Sequence, residues 1–143
     1  MRLFLDANVL FTAAYSPEGR SAALFALAGS GVCSLASSRH AIDEACRNLA
    51  LKAPESMPDF ERLMAHIEVV PEAGPGIVAW AAQRGLPAND APVLAAAVAA
   101  GVDLLVTGDR SHFGHLFGTT IGGVTVAPPG DALARVLEGR SGR

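Results

Sequence analysis

Asp6 and Asp109 are the residues best placed to do chemistry together. Asp6 closes the apolar run Arg2-Leu3-Phe4-Leu5, and Asp109 follows Asp103-Leu104-Leu105-Val106 after Thr107-Gly108. Short apolar runs bounded by polar residues read as buried strands. In a parallel sheet, residues just beyond the strands gather at the carboxyl edge, where such sheets bind their ligands. Asp90 opens an Ala-rich helix that leads into the second run, which permits it to reach the same rim. Taken singly, each Asp is as economically explained as a turn residue or a helix cap; taken together, they suggest a site.

Carboxylates forced into proximity repel and raise one another's pKa unless a cation neutralises them. A cluster of three or four therefore argues for a bound divalent ion, and hard oxygen ligands favour magnesium or manganese. An ion or ion pair held this way can activate water, orient a phosphate and stabilise a leaving oxygen, so phosphodiester hydrolysis needs no side-chain nucleophile. The GxxxxGK[ST], GxGxxG and GxSxG motifs are missing, which leaves nucleotide triphosphate, dinucleotide and serine-hydrolase readings without their chemistry.

The elements that must carry these acids alternate. A strand over 2–5 precedes a helix through Tyr15; Ser21 to Ala28 reads as a second helix, stopped by Gly29-Ser30-Gly31; and a strand over 32–36 follows. Ser37-Ser38 caps a helix whose Ile42, Ala45, Cys46 and Leu49 form one apolar stripe, with Glu44 turned away from it. A short helix over 58–66, a strand at 68–70, a helix over 76–84, the Ala-rich helix over 90–100 and the strand over 103–106 come next. A last strand over 121–127, kinked at Gly122-Gly123, and a closing helix over 131–137 complete the pattern. Strands and helices alternating in one short chain predict a mostly parallel central sheet with helices on both faces. With 143 residues, we expect one domain over 1–138 and a loose tail over 139–143.

Three segments, FLDANVL, IDEACRNL and NDAPVLAAAVAAGVDLLVTGD, in this order and spacing, resemble the PIN-domain ribonucleases, close to the VapC-type toxins of toxin-antitoxin pairs. The resemblance spans almost the whole chain, and its last segment is the most specific. It implies a three-layer α/β/α sandwich and an acidic quartet of Asp6, Glu44, Asp90 and Asp109, with Asn8 and Thr107 as polar supports. Periodicity says only that Glu44 leaves the core stripe; the family pattern selects it over the adjacent Asp43. The resemblance further implies cleavage of RNA with magnesium or manganese, a homodimer and inhibition by a small antitoxin protein. The chain departs from some relatives in having Asn89 beside Asp90, and in continuing Arg110-Ser111-His112-Phe113 after Asp109. A competing reading keeps the fold as a non-catalytic RNA- or protein-binding module.

Bulk properties constrain the partners. The chain is 50% hydrophobic and 17% charged with a formal net charge of −3, which fits a packed globular protein and lacks the basic footprint of most nucleic-acid binders. Eleven Lys and Arg remain for phosphate contacts; Arg39, Arg47 and Arg110 lie near the acids in sequence, with plain surface solubility the alternative. No apolar run approaches a membrane span and no signal-peptide pattern opens the chain, so the expectation is a cytoplasmic protein. Cys33 and Cys46 read as reduced thiols among apolar neighbours. His112 and His115 are spaced for a shared metal on a helix, although Gly114 weakens that helix. Leu10, Phe11, Tyr15, Leu24 and Phe25 suit either the core or an apolar groove for an antitoxin segment.

Overall fold

A computed structural model describes residues 1–141, with side chains through 139. Its strands are β1 (Arg2–Leu5), β2 (Ser34–Ser38), β3 (Ile67–Val70), β4 (Leu104–Val106), β5 (Thr120–Ile121) and β6 (Val124–Ala127). Its helices are α1 (Ala7–Tyr15), α2 (Arg20–Gly29), α3 (Arg39–Lys52), α4 (Met57–Met64), α5 (Pro75–Ala82), α6 (Ala91–Ala100), α7 (Arg110–Phe113) and α8 (Pro129–Ser141). The strands form one sheet in the order β3-β2-β1-β4-β6-β5, parallel except for the β5–β6 hairpin.

Alternation along the central strands builds two cores. Leu3, Leu5, Leu104 and Val106 face a layer of α1, α2, α3, α4 and α8, whereas Phe4 and Leu105 face α5 and α6. The fold is thus the expected three-layer α/β/α sandwich with a mostly parallel sheet. In α6, Ala95, Ala96 and Ala97 are all buried, as is its neighbour Ala81 on α5. Small side chains let these two helices approach each other and the sheet closely, which explains an Ala-rich stretch that is apolar all round. Gly101, at φ 68°, ends α6 in the left-handed conformation that glycine adopts without a Cβ penalty.

Two expectations need correction. The single kinked strand over 121–127 is a hairpin: Gly122 and Gly123 both take positive φ, 57° and 84°, as a two-residue type I′ turn requires. A Cβ on Gly122 would also stand 3.0 Å from Trp80 and Val98, so packing and backbone demand glycine together. At the other end, α8 runs from Pro129 to Ser141, so residues 139–141 of the expected loose tail continue a helix, while 142–143 lie outside the described residues. Of the proposed groove residues, Leu10, Leu24 and Phe25 are buried in the core, and Tyr15 is exposed. No helix among the described residues is long and apolar enough to cross a membrane.

Leu105 lies at 0% exposure on β4, in the strand that carries Thr107 and Asp109 to the rim, whereas Leu51 at the end of α3 is 83% exposed. Truncating Leu105 leaves a cavity that rigid neighbours only partly fill. Urea unfolding should show Leu105→Ala losing about 2–5 kcal/mol and Leu51→Ala within about 0.5 kcal/mol of the parent; comparable losses in both would contradict the assigned core.

Candidate active site

β1 and β4 are hydrogen-bonded neighbours, with Leu5 opposite Val106, so Asp6 and the Thr107-Gly108-Asp109 segment leave the sheet side by side. This juncture, where the chain turns to β2 on one side of β1 and returns as β4 on the other, is the crevice in which open parallel sheets hold ligands. Asp6 is 3% exposed and caps α1: its Oδ1 accepts from the Ala7 amide at 2.7 Å. Its Oδ2 accepts from Thr107 Oγ1 at 2.8 Å and from Asn8 Nδ2 at 3.1 Å.

Asn8 and Thr107 knit the two strand ends together. The Gly108 amide donates to Asn8 Oδ1 at 2.7 Å, Asn8 Nδ2 donates to Thr107 Oγ1 at 3.1 Å, and the Asp109 amide donates to Thr107 Oγ1 at 3.2 Å. Asp109 in turn caps α7, its Oδ1 accepting from the His112 amide at 3.0 Å. For Asp109, Oδ1 caps α7 while Oδ2 meets the His112 ring; for Asp6, Oδ1 caps α1 while Oδ2 takes the Thr107 and Asn8 donors.

Asp90 stands at the N-cap position of α6 but its side chain makes no capping bond. Instead its Oδ2 lies 2.9 Å from His112 Nδ1, which is also 2.8 Å from Asp109 Oδ2. One ring nitrogen thus sits between two carboxylates from distant parts of the chain. Glu44, on α3, lines the same cleft as Asn8, Gly108 and Asp109, a space of about 430 Å³ that Asn48 and Lys52 also border. Its Oε1 accepts from Asn89 Nδ2 at 2.7 Å. Asp43 points elsewhere, toward Arg39 at 3.9 Å on the exposed side of α3. Glu44 and Asp109 thus line one cleft, Asp90 joins Asp109 through His112, and Asp6 lies close enough to feel the charges of Asp90 and Glu44.

The PIN domain's sequence signature matches residues 2–111. This chain belongs to the PIN-domain family. No curated relative matches it in sequence. Among solved structures, PAE2754 from Pyrobaculum aerophilum shares the fold with a TM-score of 0.70 at 20% identity, over 96% of each chain. VapBC2 from Rickettsia felis, solved with a DNA fragment from its promoter, has a TM-score of 0.65 at 16% identity, over 90% of this chain and 98% of that one. VapC20 from Mycobacterium tuberculosis, described as a sarcin-ricin loop cleaving toxin, has a TM-score of 0.55 at 15% identity, over 76% of this chain and 91% of that one.

Two further residues of this PIN domain join the site through tertiary contacts. Asn89 holds Glu44, and its carbonyl meets His40 Nε2 at 3.0 Å. His112 does not share a site with His115, whose Nε2 lies 2.8 Å from the Arg84 carbonyl; it joins the acids instead. The adjacency of Asn89 to Asp90 was the available signal, but its reach to α3 is a tertiary contact.

Electrostatics follow from burial and company. The Asp6 carboxyl stands at about 6 against an ordinary 3.8: burial raises it most, hydrogen bonds from Thr107 and Ala7 lower it, and the charges of Asp90 and Glu44 add to the rise. Asp90 is raised chiefly by burial; His112 opposes the rise, while Asp109 and Glu44 add to it. A divalent cation would relieve both, and Asp90, Asp109 and His112 bring ligand atoms within 4.8 Å of one another, with two carboxylate oxygens to meet a hard ion.

Because the folded-state value of Asp6 lies above the unfolded one, its contribution to metal-free stability is full below pH 3.8 and is lost as pH rises through about 6. Asp6→Asn removes that titration. Whatever the offset between the two proteins at pH 5, the unfolding free energy should shift in favour of Asp6→Asn by about 1 kcal/mol by pH 7.5 without divalent ions. Urea titrations at both pH values measure this, and a pH-independent difference would contradict the perturbed carboxyl.

Proposed function

We propose that this chain is a metal-dependent endoribonuclease, the toxin of a toxin-antitoxin pair. What supports the reading is a set of acids at the carboxyl edge of a PIN-domain sheet: Glu44 and Asp109 on one cleft, Asp90 joined to Asp109 through His112, and Asp6 raised by burial and by the charges of Asp90 and Glu44. Under this reading the four carboxylates hold magnesium or manganese. A bound ion would supply an activated water and would neutralise charge developing on the phosphate.

The chain's own side chains set the donors in place. Thr107 and Asn8 orient Asp6 by donating to Oδ2, Asn89 orients Glu44, and the His112 amide and ring orient Asp109. These bonds aim several carboxylate oxygens before any ion arrives, as supporting hydrogen bonds around metal ligands generally do. Lys52, on the border of the same cleft, offers a cation to an RNA phosphate.

The partner assignment is of the same kind. From the resemblance to VapC-type toxins we extend to this chain a small antitoxin protein, a homodimeric state and a cytoplasmic RNA substrate.

The purified protein should cleave single-stranded or structured RNA in magnesium or manganese and lose that activity in EDTA. Asp109→Asn and Glu44→Gln should each lower the rate by roughly a hundredfold or more, since each removes a charge that balances the ion. Gel analysis of end-labelled RNA checks this. Undiminished cleavage in both variants would sink the mechanism, and a folded protein that binds no divalent ion by calorimetry would favour a non-catalytic binding module.

A further inference from the structure

A second cleft, of about 270 Å³, adjoins the carboxylate crevice, and Thr12 and Gly108 line both. Its remaining wall is Arg20, Ser21, Arg110, Pro128, Pro129 and Gly130. No carboxylate lines it, and among the described residues neither arginine pairs with an acid within 4.0 Å. In a chain of net charge −3, two guanidinium groups left without acids beside a cluster of acids are a local exception to the bulk charge.

Four further observations give the cleft a polarity. Ser21 is 3% exposed and borders it, yet its hydroxyl forms no hydrogen bond among the described residues. The cleft ends at the start of α8, where the first intrahelical bond runs from the Ala132 amide to the Pro128 carbonyl at 2.9 Å. The Gly130 and Asp131 amides therefore have no acceptor within the helix, and the helix dipole favours an anion there. Arg20 lies along Gly130, where a Cβ would meet its Nη1 at 3.1 Å, so the missing side chain admits the guanidinium to the helix terminus. Arg110 is steadied over the Phe117 ring, 6.0 Å from its centroid. Asp131, in the same turn, is exposed and does not line the cleft.

Two forked cations, hydroxyls from Thr12 and Ser21 and free helix-terminal amides make a donor set suited to a tetrahedral oxyanion with several acceptor oxygens. The proposed carboxylate metal site lies next door, so a polymer with regularly spaced phosphates can occupy both at once. We propose that this cleft seats an RNA backbone phosphate neighbouring the one presented to the carboxylates, and so sets which way the strand crosses the crevice. The proposal rests on the nuclease reading for its ligand, but its residues lie outside the quartet. It also gives an acidic protein a local point of attraction for a polyanion beside the carboxylates.

The test uses the full chain carrying Asp6→Asn to prevent cleavage, with a fluorescent single-stranded RNA followed by anisotropy across a KCl series. Each of Arg20→Gln and Arg110→Gln should weaken binding several-fold and flatten the dependence of log affinity on log salt by roughly 0.7. Arg20→Lys should largely keep the slope, and Arg62→Gln, on α4, should leave it unchanged. In parallel, titration of inorganic phosphate into the metal-free wild-type chain should shift the Gly108, Gly130 and Asp131 amide resonances saturably, and either glutamine variant should abolish the shifts. Divalent-dependent RNA cleavage accompanied by parental salt slopes in both glutamine variants would overturn the subsite and leave the nuclease standing. Reduced slopes in both glutamine variants, alongside a wild-type chain that cuts no RNA, would uphold the subsite and overturn the nuclease reading.

Discussion

Asp6 places a carboxylate where only 3% of the residue meets solvent, and much of the surrounding architecture serves to hold that group. A buried carboxylate is costly unless it is hydrogen-bonded or neutralised. Three donors answer that demand: the Ala7 amide, the Thr107 hydroxyl and the Asn8 amide group. Ala7 and Asn8 are local to Asp6, but Thr107 is available only because β1 and β4 are parallel neighbours in a register that sets Leu5 opposite Val106. The pairing in turn depends on Leu3, Leu5, Leu104 and Val106 burying one face, with Phe4 and Leu105 burying the other. A slip of one residue would exchange the faces and turn the Asp6 side chain away from Thr107.

The donors do not fully compensate, which is why the Asp6 carboxyl stays high even though Thr107 and Ala7 pull it down. Residual electrostatic strain of this kind is the usual mark of a site built for something else to enter. The same bias recurs at Asp90, which stands where a helix cap would be but gives its oxygen to His112. Just across Thr12 and Gly108, the field changes sign at Arg20 and Arg110. The rim is thus divided into an acidic half and a basic half by two small residues shared between them.

Belonging to the PIN-domain family explains why three short segments of sequence carry so much of the site. FLDANVL and VTGD contain a strand end, an acid and the polar residue that bonds to the other segment, so the central network is already present in them. Local chemistry was also legible at Ser38, whose side chain caps α3 by accepting from the Ala41 amide. Errors arose where local pattern underdetermines structure. Gly122-Gly123 reads equally as a kink or a reversal, and the reversal was decided by Trp80 and Val98 packed against it. The polar end of α8 lacks a strong apolar stripe, so periodicity stopped the helix before Ser141.

By itself, the sequence determined the alternating α/β pattern, the sandwich it implies and the pairing of Asp6 with Asp109, because strand periodicity and the acids at strand ends are local properties. Only the tertiary structure decided that Asn89 reaches Glu44, that His112 sits between Asp90 and Asp109, and that Arg20 meets Arg110 across one cleft. Those contacts join helices whose mutual placement is set by how two cores pack on a twisted sheet, and no spacing along the chain encodes that placement directly.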